Sequence, residues 1–125
     1  MAGHPLADLD VAPRTHPLIA ALEQEYLDAV VAVADAEIDA GCAAAILPRL
    51  LTAAASALLY EPVHLRLVRA YQATGQRAEA LRVYERMRLR LREELGVDPG
   101  VELREAFTAL LGGDAARAVV NGCPW

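Results

Sequence analysis

The spacing of Tyr71, Gly75, Ala80 and Tyr84 constrains the fold of this chain more than any other feature. Leu65, Val68 and Tyr71 recur at helical intervals before Gly75, and Leu81, Tyr84 and Met87 do so after it. Glycine adopts the positive φ that ends a helix and reverses the chain, so the spacing predicts two antiparallel helices joined by a short turn. Ala80 is small where the two helices must approach closely. Tyr71 and Tyr84 are bulky enough to fill the space between one such pair and its neighbour. A helix–turn–helix unit of this kind repeats at about 34 residues. Counting from Gly75, Leu67, Val68 and Met87 take further repeat positions, whereas an upstream copy keeps only Val33, Ala34, Gly41 and Leu50.

The rest of the chain reads as more helix. Residues 1–17 hold Pro5, Pro13 and Pro17, which deny a helix its backbone donors, and form an irregular lead-in. From Leu18 to Ala40, Leu22, Tyr26, Leu27, Val30, Val33, Ala34 and Ile38 recur every three or four residues, a long amphipathic helix stopped by Gly41. A second helix runs from Ala43 to about Leu59, with Pro48 tolerable in its first turn or at a bend. Pro62 opens a third helix that ends at Gly75. The fourth runs from Arg77 to Leu95, with Leu81, Tyr84, Met87, Leu91 and Leu95 as its buried stripe and Gly96 as its left-handed stop. Asp98 and Pro99 read as N-cap and first residue of a fifth helix that ends at Gly112 and Gly113. No stretch alternates with period two. The expectation is an all-α fold of about five helices over residues 18–113, with a loosely held tail at 114–125.

At 125 residues there is room for one domain. No apolar stretch approaches the roughly 20 residues of a membrane span, and the first residues lack the pattern of a secretory signal, so a cytoplasmic location without membrane contact is expected. Cys42 and Cys123 form no metal-type pair; Cys42 reads as a small residue in a helix–helix turn and Cys123 as a tail thiol. The net charge of −5 is uneven. Residues 1–60 carry two arginines against eight acids, and residues 61–125 carry ten arginines against nine acids. The front half is therefore a poor surface for nucleic acid. All twelve basic residues are arginine, which with abundant alanine suggests a GC-rich, actinomycete-like source.

The hairpin spacing resembles the tetratricopeptide repeat. Extended through Arg88, Leu91 and the run Glu93-Glu94-Leu95-Gly96-Val97-Asp98-Pro99-Gly100, then Glu102-Leu103-Arg104, the block resembles the C-terminal half of the bacterial transcriptional activator domain. That domain occurs in the Streptomyces antibiotic regulatory protein family. With Pro5-Leu6-Ala7-Asp8 and the helix from Leu18, the likeness covers roughly residues 5–111. It implies a tetratricopeptide-like domain that helps a transcription factor to dimerise or to contact other proteins, without catalysis. In the family a winged-helix DNA-binding domain precedes this one. The sequence shows no counterpart to it, so a truncated or stand-alone form is expected, with protein partners rather than direct DNA binding.

Few residues carry chemistry of their own. Arg82, Arg86 and Arg90 lie at four-residue spacing and are candidates for contact with an acidic partner; a solvated face balanced by Glu85, Glu93 and Glu94 is the plainer account. Asp35, Glu37 and Asp39 read as solvated acids, because only Asp35 and Asp39 share a helix face and the rest of a calcium loop is absent. His4, His16 and His64 are too dispersed for a zinc site, and His64 is expected to be exposed or satisfied locally. Ser56 lacks a nucleophile-elbow context, and the glycines match no phosphate loop. Tyr26, Tyr71, Tyr84 and Phe107 read as core, while Tyr60 and Trp125 fall outside the apolar stripes. The expectation is a non-enzymatic regulatory module with no cofactor or metal, acting as a homodimer or on a transcription component. The alternatives are a peptide-binding adaptor unrelated to transcription and, more remotely, a ligand pocket or enzyme.

Overall fold

A computed structural model describes residues 16–112. Five helices follow one another: α1 (Pro17–Asp39), α2 (Ala43–Ser56), α3 (Glu61–Ala73), α4 (Arg77–Leu95) and α5 (Val101–Leu111). No strand occurs among the described residues. Most of the lead-in and the segment 114–125, with Cys123 and Trp125, lie outside them.

The helix ends follow from local chemistry. His16 caps α1 by accepting the Leu18 N–H on Nδ1 at 3.1 Å, with Pro17 in the first turn. Gly75 ends the α3 hairpin turn at φ +77°, and the Gln76 N–H reaches back to the Tyr71 carbonyl at 2.8 Å. Gly41 repeats the arrangement at φ +81°, with the Cys42 N–H on the Glu37 carbonyl at 2.7 Å. The two glycines stand one repeat length, 34 residues, apart. The hairpin α1–α2 is thus a true copy in backbone although its side chains have drifted.

α3 is the hub, packed against all four other helices, and seven of its thirteen residues are buried. Val63, Leu67, Val68 and Tyr71 form the middle of a core completed by Leu50, Ala53, Ala80, Met87, Leu91, Leu103 and Leu110. Ala80 is fully enclosed, as the close approach of α3 and α4 requires. Tyr84 stacks on Phe107 of α5 with ring centroids 4.2 Å apart and planes inclined by 11°.

Several boundaries and stripes differ from expectation. α2 stops at Ser56, whose hydroxyl donates to the Ala53 carbonyl at 3.0 Å in competition with the helix ladder; Leu58 and Leu59 are exposed in the connection to α3. Pro48 lies inside α2, beyond its first turn; Pro48 and Ala44 are both exposed, so the carbonyl that loses its donor is on the wet side. The stripe of α4 is Ala80, Val83, Tyr84, Met87 and Leu91. Leu81 is only half-buried and Leu95 is exposed, because α4 is six residues longer than α3 and its last turn has no helix beneath it.

Asp98 and Pro99 do not begin α5. The N-cap is Gly100, in extended backbone, and Pro99 is buried ahead of it. The Asp98 carboxylate accepts from Arg92 at 3.2 Å instead, and Glu61 of α3 takes the Gly100 N–H at 2.8 Å. A carboxylate from another helix, placed where the α5 dipole favours negative charge, fills the end that Asp98 was expected to cap. Cys42 is buried at the α1–α2 turn; the chain's other cysteine, Cys123, is outside the described residues.

Candidate functional site

α2 and α4 both lean on α3 but do not pack extensively on each other. A groove of about 390 Å³ opens between them, floored by His64, Leu67 and Tyr71 of α3 and walled by Leu51, Ala54, Ala55 and Leu58 on one side and Glu79, Val83, Arg86 and Arg90 on the other. The candidate arginines divide here. Arg82 donates to Glu79 at 2.5 Å on the surface of α4, a pair of little energetic weight. Arg86 and Arg90 line the groove, and among the described residues neither has a hydrogen-bond or carboxylate partner. The adjacent face is neutralised, with Arg88 on Glu85 and Arg92 on Asp98.

His64 is buried, and its Nδ1 lies 2.8 Å from the Tyr60 carbonyl, to which it donates in the neutral form. Burial pushes its pKa below the usual histidine value, and the Arg90 and Arg86 charges act in the same direction. The groove therefore meets solvent with two unpaired cations, one carboxylate and an apolar floor that includes an uncharged imidazole.

A second unpartnered surface lies on α1. Val30 and Ala34 are buried against the core, while Leu18, Leu22, Tyr26 and Val33 on the adjoining flank are 61, 52, 44 and 38% exposed. Steps of four, four and seven residues keep them on one flank. Tyr26 is therefore surface, not core as expected from its spacing. α1 carries six carboxylates and no basic residue. Two polar links hold it down. Arg66 of α3 makes a two-pronged pair with Asp35 at 2.9 and 3.0 Å, so Asp35 is an ion-pair partner rather than a merely solvated acid. Tyr60, which no apolar stripe claimed, donates to Asp28 at 3.1 Å and accepts from Gln24 at 2.9 Å.

Among the described residues no cluster of three potential metal ligands occurs, and no helix is long and apolar enough to cross a membrane. What the geometry offers is contact surface on a helical-repeat frame. The model of the bacterial transcriptional activator domain matches residues 2–111. The chain belongs to this family.

Known relatives agree with that assignment. The transcriptional regulatory protein EmbR of Mycobacterium tuberculosis is 33% identical over 102 residues, a match covering 82% of this chain and 26% of EmbR. The regulatory protein AfsR of Streptomyces coelicolor is 38% identical over 87 residues, covering 70% of this chain and 9% of AfsR. The solved structure of M. tuberculosis EmbR in complex with a low-affinity phosphopeptide superposes with a TM-score of 0.74 at 30% identity, over 82% of this chain and 28% of that one. The chain thus spans about a quarter of EmbR and less than a tenth of AfsR. Its place is in the transcription-regulator family, with an all-α, tetratricopeptide-like fold.

Proposed function

We propose that this domain is a non-enzymatic interaction module of cytoplasmic transcription regulation, and that it self-associates through the outer face of α1. The observation that carries the reading is the row Leu18, Leu22, Tyr26 and Val33, exposed on α1. An exposed apolar row on a helix calls for a cover. Family membership supports a role in transcription. The acidic α1 and the pairing of Arg82, Arg88 and Arg92 of α4 with carboxylates favour a protein partner over DNA.

Sedimentation velocity of the full chain from low to high micromolar concentration tests the proposal. A concentration-dependent dimer or larger species is expected, and Leu22→Asp, which places a charge in the middle of the row, should shift it to monomer. A wild-type chain that stays monomeric throughout would refute it.

A further inference from the structure

The outer face of α1 and the groove between α2 and α4 are chemically opposite. α1 presents an apolar row bordered by Glu23 and Glu25, neither of which has a partner among the described residues. The groove presents apolar walls at Leu51, Leu58 and Val83 beneath Arg86 and Arg90, which are one turn apart. The imbalance extends over whole helices: six carboxylates and no base on α1, six arginines against four glutamates on α4. The two surfaces share apolar side chains and differ in the sign of the charge beside them.

We propose that the groove is the receptor for α1 of a second copy of this chain, so that Leu22 and Tyr26 enter between α2 and α4 while Glu25 meets Arg86 and Arg90. This rests on the self-association proposed above and specifies its other half. The contact joins two different surfaces, so it is heterologous: it closes into a symmetric pair or ring if the rotation permits and grows end to end if it does not. The fit is that of an amphipathic helix laying one row of side chains into a groove. A volume of about 390 Å³ has room for a few side chains, which suits one row and not a whole helix. Nucleic acid suits the site less well, because Glu79 lies on the rim and the apolar floor offers phosphates nothing.

A complementation experiment on the full chain tests this. The groove variant Arg86→Glu/Arg90→Glu and the helix variant Leu22→Asp/Glu25→Arg change surface positions only, and circular dichroism should show unchanged helix content. In sedimentation velocity each variant alone should associate at least about tenfold more weakly than wild type, since like charges then face each other across the contact. An equimolar mixture should recover association, because the groove variant still has an intact α1 and the helix variant an intact groove. Raising the salt concentration should weaken the wild-type complex.

The outcomes separate the two ideas. A monomeric wild type overturns both. A groove variant that associates like wild type, while the helix variant is monomeric, leaves self-association through α1 standing and overturns the groove as its receptor. Failure of the mixture to recover association, with both variants folded and individually monomeric, also overturns the head-to-tail contact. Binding of a fluorescent DNA duplex by wild type but not by the groove variant would assign the arginines to phosphate and overturn the proposal.

Discussion

The hairpins α1–α2 and α3–α4 turn on the same backbone device, yet they share few side chains. One repeat length before Ala80 and Tyr84 stand Ile46 and Leu50, both buried. The difference follows from what each hairpin faces. α3–α4 lies between the first hairpin and α5, so Tyr84 must span to Phe107 and Ala80 must let α3 and α4 close up. α1–α2 has a helical neighbour on one side only among the described residues, and no gap there calls for a large aromatic. Repeat positions are thus filled according to the number of neighbours, while the turn glycine is kept because it answers to the backbone alone.

This contrast can be broken most forcefully in the core. Met87→Ala removes a fully enclosed side chain at the centre of the second hairpin and should cost about 2–5 kcal/mol in urea unfolding. Leu22→Ala on the open face, measured at a concentration low enough to keep the chain monomeric, should stay within about 0.5 kcal/mol of wild type. Equal losses would mean that α1 is covered on both sides. The turns should behave alike where the cores differ: Gly75→Ala and Gly41→Ala should each cost about 1–2 kcal/mol, the price of a Cβ in the left-handed region. At Gly75 no atom lies within 4 Å of the added carbon, so the loss there is backbone strain without a clash. A much smaller loss at Gly41 would show that the first turn is a looser copy.

The smallest effect sharpens the contrast at the groove. His64 has a folded-state pKa held below its ordinary 6.5 by burial, opposed by the hydrogen bond to the Tyr60 carbonyl and by Glu61, and reinforced by Arg90 and Arg86. The unfolded chain therefore takes up the proton first as pH falls. Stability from this residue is complete above about pH 6.5, declines as pH drops through that value, and levels off below the folded-state pKa. Urea midpoints between about pH 8 and pH 5 should fall more steeply for wild type than for His64→Gln. Parallel profiles would mean that the imidazole is solvated in the folded state.

The periodic apolar rows and the turn glycines made the helices legible in advance, because they depend on residues close in sequence. Where the reading failed, a distant residue had intervened. Asp98 looks like a cap until Glu61, from the start of α3, supplies the acceptor at Gly100 and leaves Asp98 to Arg92. Asp35 looks solvated until Arg66 reaches it across the α1–α3 contact. Tyr26 stands on the same row as buried Val30 and Ala34, but the part of α1 packed on the core begins only at Leu27, which periodicity cannot show. The candidate site was half visible: Arg86 and Arg90 stood out by their spacing, whereas their separation from Arg82 required the position of Glu79 and the groove beside it.

By itself the amino-acid sequence determined the all-α architecture, the 34-residue hairpin unit and the family, since helix periodicity, glycine turns and the run from Glu93 to Gly100 are local in the chain. Tertiary structure alone decided which arginines are left without a partner, which face of α1 is open and where a groove exists. Those depend on how far α2 and α4 splay over α3, a distance set by side-chain volumes from three helices at once.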